Sequence, residues 1–159
     1  MEALPAMFET ISRLFGQSEA ASAHPLEPRL AVAAILVHLA AVDGQAKPEE
    51  YAVIANALKD HYGLGDADVK KLVTEAKRKN SEAVDFYKFT STLSKLDENE
   101  RVAIVRMMWQ VVFVDGANHE LEDNMVWRVA ELIGVSARDR TILRNQTRRG
   151  AAPLTENDD

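Results

Sequence analysis

Apolar residues along this chain recur at three- and four-residue spacing, and no stretch alternates strictly between apolar and polar as a half-buried strand does. The pattern therefore predicts helices throughout. Leu4, Met7, Phe8, Ile11, Leu14 and Phe15 draw one apolar stripe on a short helix that Gly16 ends, and the stretch QSEAASAHPLEP after it reads as a linker. Pro28 suits a first helical turn, and Leu30 to Val42 continues as a helix apolar on nearly every side until Asp43 and Gly44 stop it. A second helix starts at Pro48 and runs to about Tyr62. It carries Tyr51, Ile54, Ala55 and Leu58 inward and Glu49, Lys59 and Asp60 outward, and Gly63 and Gly65 end it.

Asp66 to Lys79 forms a third helix through Val69, Leu72, Val73 and Ala76, closing on Lys77, Arg78 and Lys79, which suit the negative end of the helix dipole. After Asn80 and Ser81 a fourth carries Phe86, Phe89, Leu93 and Leu96. Asp97 then caps a fifth, with Glu100 three residues on in a capping-box pattern. This fifth helix, about Glu98 to Val114, matches the Leu30 to Val42 helix in being apolar almost all round, and Asp115-Gly116 stops it in the same way. A sixth covers roughly Glu120 to Ile133 and ends at Gly134. Ser136 caps a seventh, which carries Ile142 and Leu143 before the basic stretch Arg144 to Arg149.

The expected architecture is all-α: a single globular helical domain of about seven core helices plus the N-terminal helix, with an internal pseudo-twofold repeat. Residues 1–27 are the N-terminal amphipathic helix and linker, 28–149 the helical domain, and 150–159 an acidic tail expected to be disordered. With 159 residues, 47% of them apolar, the chain can bury one sizeable core. The absence of cysteine rules out disulfides, a thiolate nucleophile and a sulfur-ligated metal site, and fits a cytoplasmic location. A net charge of -6 opposes a phosphate backbone, so no nucleic acid is expected as a partner. Glu2 stands where a secretory signal carries positive charge, and the Leu30 to Val42 run, broken by His38, falls short of the roughly 20 residues that cross a bilayer.

Laying LVHLAAVDGQAKPEEYAVI over MWQVVFVDGANHELEDNMV at an offset of 72 residues aligns Asp43 with Asp115, Gly44 with Gly116, Glu50 with Glu122 and Ile54 with Val126. One residue out of register, Gly63-Leu64 meets Gly134-Val135, so the likeness extends over three helices in each half. At these residues the chain resembles the TerB (tellurite resistance protein B) family, whose members twice carry a buried helix ending in a small residue, then Asp-Gly, then a glutamate seven positions after the aspartate. The two copies here are AVDGQAKPEE and FVDGANHELE, and the resemblance spans about Leu30 to Gln146, taking in the passage from Leu96-Asp97 to Arg101. It implies an all-α fold of seven core helices and a link to tellurite resistance and related stress responses.

A carboxylate at the C-terminal end of a helix opposes the macrodipole, at a cost of a few tenths to about 1 kcal/mol. Asp43 and Asp115 both stand there, and loop amides, a cationic side chain or a bound metal cation would relieve them. With Glu50 and Glu122 in the following first turns, each loop offers two carboxylates, oxygen ligands of the kind hard divalent cations take. The competing explanation is that Asp-Gly only makes a turn and the glutamates only complement a helix dipole. Val111 and Phe113 stand where an EF-hand needs further ligands, so that motif is absent. His38 and Gln110 correspond in the repeat and read as hydrogen-bonded groove or core residues. His119 is placed in the second loop like a ligand, but its counterpart is Lys47. Trp109, Trp127 and Met107 read as core.

No nucleophile with a matching base, no phosphate-cradling glycine loop and no histidine pair at i, i+4 spacing occurs, so no enzyme is expected. A hydrolase would need a closed pocket of convergent polar groups that no motif announces. The expected role is a non-catalytic stress-response domain that binds a partner protein through an acidic surface, with a divalent cation as candidate cofactor on Asp43, Glu50, Asp115 and Glu122. The alternative is a purely structural interaction module without metal. For the N-terminal stripe the default is docking on its own core; swapping into a second subunit, giving a dimer, and contact with a membrane surface are the alternatives. Its polar face of Glu2, Glu9 and Arg13 holds too little positive charge for strong lipid attraction.

Overall fold

Proline at the first helical position has its φ preset for the helix and lacks only an N–H that would find no partner there. Two of the helices begin this way in the computed structural model, which describes residues 27–42, 44, 46–81, 86–114 and 120–151. Among these residues the order is α1 (Pro28–Ala40), α2 (Pro48–Tyr62), α3 (Asp66–Ser81), α4 (Phe86–Ser94), α5 (Glu98–Val112), α6 (Glu120–Ile133) and α7 (Ala137–Ala151), with no strand. The predicted N-terminal helix, Asp43, the second loop from Asp115 to His119 and residues 152–159 lie outside the described residues.

The core forms around α1, whose Ala31, Ala33, Ala34, Ile35, Leu36 and Leu39 are fully buried. A helix apolar on every side needs neighbours on every side, and α1 packs against α2, α3, α4, α5 and α6. Its alanines keep the radius small where α3 lies against it. The second central helix, α5, buries Ile104, Val105, Met108 and Trp109 and packs against α1, α2, α6 and α7. Trp109 donates its Nε1 hydrogen to the Arg140 carbonyl on α7 at 3.2 Å and stacks on Phe113 with ring centroids 5.8 Å apart.

The chain twice runs through a central helix, a loop, a second helix, a glycine with positive φ and a third helix. Gly63 (φ 65°) ends α2 and Gly134 (φ 85°) ends α6. At Gly134 the left-handed backbone is fixed from two sides. Val135 N–H bonds the Ala130 carbonyl at 2.8 Å, and Arg101 Nη1 donates to the carbonyls of Ile133 and Gly134 at 3.0 and 3.3 Å. The guanidinium thus sits at the negative pole of α6, and a Cβ on residue 134 would come within 2.8 Å of its nitrogen.

Several element ends differ from their sequence pattern. The periodicity carried α1 to Val42 and α5 to Val114. The helices stop at Ala40 and Val112 because the last residues tighten into i→i−3 turns, Val42 N–H to the Leu39 carbonyl and Val114 N–H to the Val111 carbonyl. Asn80 was expected to break α3, yet it lies inside the helix. Its Nδ2 donates to the carbonyls of Ala76, four residues back, and Ala34 on α1, both at 3.0 Å. The predicted tail began at Gly150, whereas α7 continues through Ala151. Asp97 caps α5 by accepting from Glu100 N–H at 2.8 Å, but Glu100 points to His61 Nε2, 3.1 Å away on α2, where the capping box would turn it back to the cap.

Candidate functional site

The paired acidic loops begin where the two central helices end. After α1 the chain turns through Ala41 and Val42, and Gly44 adopts φ 83° with its N–H on the Ala41 carbonyl at 2.9 Å. Lys47 and Pro48 then open α2, and Glu50 is its third residue. Glu122 holds the same place in α6. Both side chains are almost wholly buried, at 2% and 1% exposure, and both have polar or electrostatic interactions. A carboxylate removed from water loses solvation worth several kcal/mol unless charges or donors replace it. The unpaired N–H groups and positive dipole end of a first turn supply part of that replacement.

Of the four carboxylates expected to form the site, the structure describes these two; Asp43 and Asp115 lie outside the described residues. Among the described residues no group of three or more His, Asp or Glu is arranged to hold a metal ion.

The packing around the helix ends brings the described borders of the loops near each other. His38 and Val42, at the end of α1, line a cavity of about 390 Å³ with Leu121, Asn124 and Met125 from the first turns of α6. Reciprocally, Gln110 and Val114, at the end of α5, line a cavity of about 610 Å³ with Val53 and Asn56 of α2. Each central helix therefore ends beside the second helix of the other half.

His38 is exposed and hydrogen-bonded. With Asn80 Nδ2 committed to two carbonyls, its Oδ1 faces His38 Nδ1 at 3.1 Å, so that nitrogen donates. Gln110 is likewise exposed in a groove. Trp109 and Met107 are core, as expected. Trp127 is only partly buried and lies under the Arg140 guanidinium at 4.2 Å. Arg128 gave no sequence signal: its Nη2 donates to the Tyr87 hydroxyl at 2.9 Å, and the guanidinium lies 5.4 Å from the centre of the Phe86 ring. The partners stand 41 positions apart in different helices, and the α4–α6 packing joins them.

Tyr62, at the end of α2, is raised to about 12 by burial first and the nearby Glu100 carboxylate second. Its hydroxyl is buried with no hydrogen-bond partner. Because the folded value exceeds the ordinary 10, the folded state holds this proton more tightly. The resulting stabilisation is complete below pH 10 and is lost as pH rises toward 12. A spectrophotometric alkaline titration is expected to show one phenolate forming near pH 12, absent in Tyr62→Phe. That variant should keep or slightly gain stability at neutral pH, since it removes an unsatisfied polar group.

An all-helical domain with two buried first-turn glutamates, each seven positions after the aspartate of an Asp-Gly pair, is the class these observations define. Residues 29–145 match the family model described as Tellurite resistance protein TerB, and the chain belongs to that family as a tellurite-resistance-related domain. Neither a curated protein nor a solved structure matches it. Among the described residues no helix is long and apolar enough to cross a membrane.

Proposed function

We propose that this TerB domain is a non-catalytic binding module whose two acidic loops hold a divalent cation through Asp43, Glu50, Asp115 and Glu122 and present the loaded surface to a partner protein in a stress response. The matched burial of Glu50 and Glu122 supports this reading: two carboxylates are withdrawn from water at equivalent places, beside helix ends that share grooves. The aspartates of the two Asp-Gly pairs would complete an oxygen donor set suited to calcium, magnesium or manganese. Bound cation would offset both the repulsion among the acids and the unfavourable dipole at Asp43 and Asp115.

The first turn also favours a second reading, in which the glutamates serve only their helix ends and the domain binds its partner without metal. Thermal unfolding with calcium, magnesium or manganese, against chelator, separates the two. A cation at one hundred times its dissociation constant should stabilise the native chain by about 2.7 kcal/mol, and Asp43→Asn with Asp115→Asn should abolish that gain. The metal-free reading predicts no cation response, with the same substitutions lowering stability equally in chelator and in cation.

A further inference from the structure

Residues 4–15 carry six large apolar side chains on one helical face, and a stripe of this size left in water is an association hazard. The described chain begins at Glu27, and that residue stands on the rim of a groove. Glu27 and Arg29 line a cavity of about 980 Å³ together with Leu64, Ala67, Lys71 and Leu72 of the α2–α3 turn and the outer face of α3. Leu64 and Leu72 pack only partly against the core, and Ala67 is exposed. Most of the groove's surface is apolar, extended by the aliphatic stem of Lys71, and Asp68, Lys70, Thr74 and Glu75 complete the lining.

We propose that the N-terminal segment, residues 4–15, docks by its Leu4, Met7, Phe8, Ile11, Leu14 and Phe15 face into this groove of its own domain. The intervening residues 16–26, if extended, reach about 36 Å at ~3.3 Å each, more than enough to turn the segment back across α3. Tethering at the rim sets a millimolar-range effective concentration, so a weak apolar contact suffices to hold the segment in place. On a helix with that stripe, Glu2, Glu9 and Arg13 fall on the opposite face and stay in water. Burial of apolar area, with no ion pair, holds the contact, so it persists at high salt.

A chain without cysteine allows a single label to be placed cleanly. Ala6→Cys puts a nitroxide on the polar face of the segment in the full-length protein. Expected is paramagnetic broadening of amide signals concentrated at residues 64–75, unchanged on dilution and in high salt. It should vanish when labelled chains are mixed with isotope-enriched chains that carry no label. Ala67→Glu, on an exposed position that leaves the core untouched, should release the segment and remove the broadening while the circular dichroism stays native. Absent broadening or broadening centred on another surface would overturn the proposal. So would broadening in the mixed sample, which assigns the segment to a second copy, or broadening only with anionic vesicles, which assigns it to a membrane. None of these outcomes depends on cation binding.

Discussion

Trp109→Ala is expected to cost about 3–5 kcal/mol, the range for deleting a large buried aromatic, and to leave the domain near its unfolding threshold given usual stabilities of about 5–15 kcal/mol. The indole is fully buried on α5, stacks on Phe113, lies 5.5 Å from the Arg144 guanidinium and donates to the Arg140 carbonyl. Truncation opens a cavity where α5 meets α7 and removes the bond that the indole adds to that carbonyl. Urea denaturation followed by circular dichroism measures the loss. A drop under 1 kcal/mol would mean that α7 collapses into the space, and that α5 is less central than its burial indicates.

Ala34→Leu is the second large effect. Ala34 is fully buried on α1, and Asn80 Nδ2 on α3 donates to its carbonyl at 3.0 Å, which fixes how closely α3 lies there. Three added carbons would push α3 away, at a typical overpacking cost of about 1–3 kcal/mol. Losing the amide bond would add roughly 0.5–1.5 kcal/mol. Denaturation midpoints report the sum, and proton exchange at the Asn80 side chain reports the broken bond. Full stability in this variant would contradict close α1–α3 packing. Val105→Ala, by contrast, removes volume inside α5 and should leave the Asn80 bond intact.

Much of the helical frame was legible in the residues. Pro28 and Pro48 marked two starts, Asp97 and Ser136 two caps, and Gly63 and Gly134 two ends, because each acts within one turn of chain and needs no tertiary partner. Errors fell where a distant side chain decides. Asn80 reads as a helix breaker until its amide finds Ala34, 46 residues away, and Glu100 reads as half of a capping box until His61 draws it aside. Val42 and Val114 continue the apolar period, but backbone tightening ends their helices first.

The candidate site was legible in composition and hidden in depth. The repeat named Glu50 and Glu122, and first-turn placement offered them as cation ligands or dipole partners; their near-complete burial follows from how α2 and α6 pack on α1 and α5, which no local pattern encodes. Arg128 and Tyr87 were invisible for the same reason. Asp43 and Asp115 remain the sequence's contribution to the proposed site, as the partners that would turn two buried carboxylates into a cation-binding set.

Manganese supplies the most direct test of that set, since it takes the oxygen donors proposed and broadens nuclear signals near it. Titrated at substoichiometric amounts into the isotope-labelled chain, it should broaden the first turns of α2 and α6 together, around Glu50 and Glu122. Asp43→Asn with Asp115→Asn should erase both effects. Broadening of one first turn alone, of neither, or of the acidic residues after Ala151 in their place would contradict a shared cation between the loops.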